Sequence, residues 1–223
     1  TVDDYDDPET TITSSLASII ITNSTSFSYS GNELVVEYSH RLNYGTSVSA
    51  WSSWTTDKTI TYDYLDEGNY TFYVKGRYSE EDEDLTPAEH SFSVDAVSAS
   101  SVRIFPQLTN ATANAIFDIE VYAEDVSNLS LAQIELEYDN QNMGVYVIQK
   151  GDFLNDFPGS EIFIDEETSS NTISITLGVG GSGGSGTGLN GTGSLCKVSF
   201  SALNSSNSTV RIKSSDFRDA DNR

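Results

Sequence analysis

Phe117-Asp118-Ile119-Glu120-Val121-Tyr122 and, further on, Ala132-Gln133-Ile134-Glu135-Leu136-Glu137-Tyr138 alternate apolar and polar side chains. Successive residues of a strand point to opposite faces, so Phe117, Ile119 and Val121 share an inward face against Asp118, Glu120 and Tyr122. Ala132, Ile134, Leu136 and Tyr138 likewise oppose Gln133, Glu135 and Glu137. Val145 and Val147, then Ile173, Ile175 and Leu177, continue the pattern, and Val210 and Ile212 end it. With Val102 to Phe105, which Pro106 breaks, this predicts eight or nine strands in a sandwich of jelly-roll type.

The first half of the chain repeats the theme with shorter strands. Ile12, then Phe27 and Tyr29, alternate with Ser or Thr. Val36, Tyr38, His40 and Leu42 share a face against Glu37, Ser39 and Arg41, and Ile60, Tyr62 and Tyr64 follow. Tyr70, Phe72 and Val74, and last Phe92 and Val94, complete the set. No segment carries a sustained helical period of apolar residues, so the chain reads as all-β. Leu65-Asp66-Glu67-Gly68-Asn69-Tyr70 has the form of a tyrosine corner: Gly68 is free to take a positive φ and the Tyr70 hydroxyl bonds back to the main chain.

At 223 residues the chain has room for two β-sandwich domains, each able to bury its own core. The expected division is an acidic arm over 1–9, a first sandwich over 10–96, a short small-residue linker over 97–101 and a second sandwich over 102–223. Asp3, Asp4, Asp6 and Asp7 precede Pro8, and such an arm could add a strand to a neighbour's sheet. The 34 acidic residues against 11 Lys and Arg leave a net charge of −23. Nucleic acid and anionic membrane surfaces both call for clustered Lys and Arg, so neither is an expected partner. The same charge keeps the chain soluble and suits salty surroundings, where self-repulsion is screened.

Cys196 is the single cysteine, which excludes an internal disulfide framework, and it reads as a half-buried inert thiol. No apolar run approaches the ~20 residues of a membrane span, and no signal peptide is evident. Seven Asn-x-Ser/Thr sequons, at Asn23, Asn69, Asn110, Asn128, Asn190, Asn204 and Asn207, fit a secreted or surface glycoprotein.

Two family resemblances follow from these motifs. Pro8 to Ser14, Tyr38 to Leu42, Trp51-Ser52-Ser53-Trp54 and Gly68 to Val74 resemble the opening and central strands of bacterial and archaeal immunoglobulin-like or fibronectin-III-like modules, over about residues 8–95. Phe117 to Tyr122, Asn128-Leu129, Leu136-Glu137-Tyr138-Asp139 and Gly151-Asp152-Phe153-Leu154 resemble the cohesin family of extracellular docking modules, over about residues 101–221. The cohesin resemblance implies that Leu129 and Leu136 are core and that Tyr138-Asp139 ends the third main strand. It also implies a turn at Gly151 and Phe153 and a loop along Gly178 to Gly186. Cellulosomal cohesins bind dockerins through a sheet face that includes that third strand. Its outward positions here are Leu131, Gln133 and Glu135, the protein-binding candidates.

Little in the sequence points to chemistry. The Gly-rich stretch lacks the Lys-Ser/Thr and following helix of a phosphate loop. His40 and His90 lie on separate strands, and neither a Ser-His-Asp set nor a His-x-x-x-His pair can be built from them. Glu80 to Asp84 is a solvated run of like charge. Asp216, Asp219 and Asp221 are candidate ligands for a structural calcium, as is the Asp3–Asp7 cluster, although neither has full calcium-loop spacing. Trp51, Trp54 and Tyr44 are candidates for a sugar-stacking platform; the opposite parity of the two tryptophans puts one inward and one exposed.

The chain is therefore read as a non-catalytic extracellular or cell-surface protein that binds other proteins. The leading expectation is a structural subunit of a surface or filamentous assembly, partnered by further copies of itself or by another surface protein. The alternatives are a receptor for a dockerin-bearing partner and a carbohydrate-binding adhesin.

Overall fold

The computed structural model describes residues 7–15, 17–33, 35–80, 82–97, 99–155, 171–178 and 188–219, and the backbone alone of 161–167. The acidic run before Asp7, most of the Gly-rich stretch and Asp221 lie outside the described residues. Every described element except one short 3-10 turn is a strand, and the chain forms two compact units, Thr1–Ala96 and Val97–Arg223.

The first unit contains β1 (Thr10–Ile12), β2 (Ile19–Ile20), β3 (Thr25–Gly31), β4 (Glu37–Tyr44), β5 (Thr59–Tyr62), β6 (Gly68–Ser79), β7 (Asp82–Glu83) and β8 (Ala88–Val94). One sheet has the order β1-β3-β5; the other has the order β2-β8-β6-β4, with β7 along β6. The period-two pattern dictates the core: Phe27 and Tyr29 from β3, Tyr38 from β4, Tyr70, Phe72 and Val74 from β6, and Phe92 and Val94 from β8 are all buried. Phe27 stacks on Phe72 with centroids 3.9 Å apart. Each such ring contributes roughly 1.5–3 kcal/mol by leaving water, so this cluster is the unit's main source of stability.

The corner at Gly68 forms as its sequence requires. Gly68 has φ +133°, and the Tyr70 hydroxyl donates to the Asp66 carbonyl at 3.0 Å. Val36 departs from expectation, being exposed and outside β4, whereas Val35 packs against the core. The chain ahead of Glu37 is irregular, so strand parity does not extend back to Val36.

The second unit contains β9 (Ser101–Phe105), β10 (Ile116–Tyr138), β11 (Met143–Lys150), β12 (Glu161–Glu167), β13 (Thr172–Gly178), β14 (Leu189–Ala202) and β15 (Val210–Asp219). Among the described residues seven strands stand where eight or nine were expected, because the two alternating runs that open the sequence analysis are one continuous strand. The first part of β10 pairs with β14 and β9, and its last part pairs with β13 and β15. Strand β10 thus passes from a β11-β14-β10-β9 layer into a β12-β13-β10-β15 layer. The transfer falls at register shifts between Ala123 and Leu129, where Asp125 and Asn128 take positive φ of 46° and 55°.

Ile119, Val121, Leu129, Ile134 and Leu136 of β10 meet Ile173, Ile175, Leu177, Leu195, Val198 and Phe200 in one core. Leu129 and Leu136 are core residues, and β10 ends at Tyr138. Two bulges overturn simple parity. A register shift between Val145 and Val147 turns Val147 outward and Ile148 inward. Another, opposite Val121 and Tyr122, places both Leu195 and Cys196 inside. Cys196 is therefore fully buried rather than half-buried, and burial pushes its thiol up to about 12, which leaves it inert.

Candidate functional site

The outward face of the β12-β13-β10-β15 layer follows from register. Ala132, Ile134, Leu136 and Tyr138 are buried, so Leu131, Gln133, Glu135 and Glu137 point away from the core. Leu131 lies opposite Gly178 and Arg218, Gln133 opposite Thr176 and Asp216, and Glu135 opposite Ser174 and Ser214. The three protein-binding candidates thus share one face.

Along β10 and β15 that face pairs its carboxylates with cations. Lys213 Nζ lies 2.7 Å from Glu135 Oε1, Arg211 lies 2.5 Å from Glu137, and Arg218 lies 2.8 Å from Asp216. The Lys213 hydrogen bond holds the Glu135 carboxyl below the usual carboxylate range. Along β13 the face carries Ser174 and Thr176, which are small and hydrogen-bonding. Beside it, at the end of β10, a small polar notch is lined by Glu137, Tyr138, Asp139, Asn171, Thr209 and Arg211. Asp139 turns inward on its own loop: hydrogen bonds from Asn142 and the Gln141 amide lower its carboxyl.

The calcium candidates do not assemble among the described residues. The Asp216 carboxylate is taken by Arg218, and Asp219 accepts the Ser130 hydroxyl through its main-chain carbonyl at 2.6 Å. No group of three or more His, Cys, Asp or Glu side chains converges to hold a metal among the described residues.

In the first unit Trp51 and Trp54 lie on one side of the β4–β6 pair, against the expectation from parity. Their segment is not a strand, so parity does not apply to it. Ser52 bonds the main chain of His40 in both directions, and Tyr38 and Thr55 exchange amide bonds, which lays residues 52–55 along the edge of β4. Arg41 lies 4.6 Å from the Trp51 ring and 4.8 Å from Tyr73; Lys75 lies 5.0 Å from Trp51 and 5.2 Å from Trp54; Arg77 lies 4.4 Å from Trp54. Glu83 and Glu37 pair with Lys75 and Arg77 in turn. The result is an interleaved stack of cations and rings on the outer surface of the sheet. A sugar stacking on either tryptophan would share its ring with these cations. Tyr44 stands apart from this stack: it packs on the core, and its hydroxyl donates to the Glu67 carbonyl at 2.8 Å.

Of the sequon asparagines, Asn23, Asn69, Asn110, Asn190, Asn204 and Asn207 are exposed and Asn128 is half-buried. Asn128 and Asn190 are tied together. Asn190 Oδ1 accepts the Asn128 amide at 2.9 Å, Asn128 Oδ1 accepts the Gly188 amide at 2.8 Å, and Asn190 Nδ2 donates to the Gly188 carbonyl at 3.0 Å. Sequence reasoning missed this clasp and the ion-paired character of the sheet face. Both depend on which residues meet across strands far apart in the chain.

The sequence matches no protein-family model and no curated protein. Among solved structures, a non-cellulosomal cohesin from the archaeon Archaeoglobus fulgidus is similar at 19% identity and a TM-score of 0.41, over 50% of this chain and 72% of that one. The second type II cohesin module of the ScaA scaffoldin of Acetivibrio cellulolyticus is similar at 16% identity and a TM-score of 0.48, over 57% and 89% of the two chains. A type I cohesin–dockerin complex from Clostridium thermocellum gives 15% identity and a TM-score of 0.44, over 51% and 82%. The likeness is one of fold over about half of the chain, and no residue role is taken from it.

Proposed function

We propose that residues 97–223 form a non-catalytic, extracellular docking module of the cohesin kind. It would receive a dockerin-bearing partner on the outward face of the β12-β13-β10-β15 layer. The observation that carries this reading is that Glu135, Glu137 and Asp216, the carboxylates β10 and β15 present on that face, each hold a cation in a chain of net charge −23. A carboxylate that already has its counter-ion costs less to bring under a partner than a free one. The remaining Ser and Thr hydroxyls adapt to whichever hydrogen-bonding groups arrive. Cohesin–dockerin pairing is the known behaviour of the Clostridium thermocellum protein above, and the reading here rests on the face and not on that likeness. The first unit serves as an immunoglobulin-like spacer that carries the module.

The test is calorimetric titration of the full chain against a set of purified dockerin modules. Replacing Leu131 and Gln133 together by Arg is expected to weaken binding by about tenfold or more, as loss of central interface contacts does. Binding that ignores this double substitution, or no binding by any dockerin, would sink the proposal.

A second reading, a subunit of a surface or filamentous assembly, is favoured by β11. This strand lies at the end of its layer and exposes Tyr146 by 64% and Val147 by 38%. Such an edge is a template for an added strand. Sedimentation at high concentration, with and without residues 1–9, distinguishes the two. Arm-dependent polymers favour assembly, and monomers in both samples favour docking.

A further inference from the structure

Both histidines of the chain, His40 and His90, belong to the first unit, and the second unit has none. His40 sits on β4 with its ring 5.9 Å from Tyr62 and 6.3 Å from Phe72. Its Nδ1 is 2.8 Å from the Tyr62 hydroxyl. His90 on β8 stacks on Phe92 at 6.1 Å and lies 6.5 Å from Phe27. Its Nε2 is buried without a hydrogen-bond partner among the described residues. The groups that meet the two rings from β3, β5, β6 and β8 are Phe27, Tyr62, Phe72 and Phe92. Tyr62 is the titratable one, and burial raises its phenol further from ionisation. No ion pair or hydrogen bond joins either imidazole to a carboxylate among the described residues. The flanking charged side chains, Arg41 on β4 and Glu89 on β8, have the opposite strand parity and point away from the core.

His40 also anchors the tryptophan segment. Its main-chain carbonyl accepts the Ser52 amide at 2.8 Å, and its amide donates to Ser52 Oγ at 3.0 Å. We infer that the first unit is an acid-responsive element, in which proton uptake by His40 loosens the aromatic core and releases residues 51–55 from the edge of β4. A protonated imidazole has two N–H donors and no acceptor, so the Tyr62 hydroxyl can then only accept from Nδ1. The new charge faces rings and no counter-ion, which is costly in an apolar setting.

Desolvation lowers the His40 pKa from its ordinary 6.5, and this fixes the direction. The unfolded chain binds the proton more readily than the folded one, so stability is complete above pH 6.5 and falls as the pH drops below it. The surplus of acidic residues in the first unit pushes the other way. Acidification towards the sequence pI of about 4.1 relieves the self-repulsion of an acidic chain. A loss of stability in mild acid is therefore a signature of the histidine.

Trp51 and Trp54 are the only tryptophans, so their emission reports the first unit within the intact chain. Melting followed by this emission is expected several degrees lower at pH 5.5 than at pH 7.5. His40→Gln, which keeps a hydrogen-bonding group opposite Tyr62, is expected to abolish that decline, and His90→Gln to retain it. A wild-type melting temperature that rises on acidification, or a His40→Gln protein that declines as the wild type does, would overturn the inference. Should His40→Gln fail to fold, a proton NMR titration of His40 in the wild-type chain decides the matter. A midpoint at or above 6.5 refutes the mechanism, and one below it upholds it.

Discussion

Two glycines of the first unit converge on one valine. A Cβ on Gly76 would stand 2.6 Å from Val35 Cγ1, and one on Gly31 would stand 2.4 Å from Val35 Cβ. Val35 is thus a plug seated where two strands have no side chains. Gly76→Ala is expected to cost about 1–3 kcal/mol, the usual penalty for adding a methyl to a filled site. In a Val35→Ala background the same change should cost clearly less, because the colliding atoms are gone. Urea unfolding of the four proteins of this cycle measures the coupling, and simple additivity would show that the plug is not a close fit. The sequence pattern assigned the plug to Val36, since counting by twos back from Tyr38 lands there. What it could not reveal is that β4 begins only at Glu37 and that two distant glycines leave a socket for Val35. By contrast, Leu136 was legible as core because it lies inside a regular alternating run, whereas Leu129, between two register shifts, was expected in the core only from the cohesin resemblance.

Strand β10 carries the second unit. Its apolar–polar alternation was plain from the sequence, whereas its continuity was not, because Asp125-Val126-Ser127-Asn128 has the composition of a turn. The structure uses those residues to move one strand between layers, with left-handed backbone at Asp125 and Asn128. Asparagine tolerates that conformation, and here its side chain also holds Gly188, while Asn190 holds the Asn128 amide. Asn128→Ala is expected to destabilise the second unit by about 1–3 kcal/mol, combining a left-handed β-carbon with a lost hydrogen bond. Asn128→Gly should cost less, since glycine keeps the backbone freedom and gives up only the bond. Equal losses for the two variants in denaturant unfolding would exclude a backbone role. The clasp also bears on the sequons, because Asn190 Nδ2 is engaged with Gly188. A glycosyltransferase offered the folded chain should modify Asn69, Asn110 and Asn207 ahead of Asn128 and Asn190, and peptide mapping would read the order. The tryptophan pair shows the opposite limit of strand parity. Their ring stack depends on Arg41, Lys75 and Arg77, which alternate correctly on β4 and β6, but the residues between the tryptophans follow no strand period.

Charge is the property that belongs to the molecule as a whole. The ion pairs among the described residues engage Lys75, Arg77, Arg103, Lys197, Arg211, Lys213 and Arg218, seven of the chain's 11 cations. With 34 acids in all, most carboxylates have no cation to meet, and their mutual repulsion opposes the compact state. The imbalance is uneven: residues 1–96 hold 18 of the acids but only four of the cations. Added salt shortens the screening length from about 10 Å at 0.1 M to about 3 Å at 1 M, which weakens this long-range repulsion. The same salt weakens the surface ion pairs, but exposed pairs contribute only about 0–1 kcal/mol each, so relief of repulsion is the larger effect. Melting temperature is therefore expected to rise from 0.05 M to 1 M sodium chloride at about pH 7.5, where His40 is neutral. The rise should be larger by tryptophan emission, which reads the more acidic first unit, than by the cooperative transition of the second. A melting temperature that falls with salt would mean that the seven ion pairs outweigh the surplus acid, and the pairs along β10 and β15 would then serve stability and not docking.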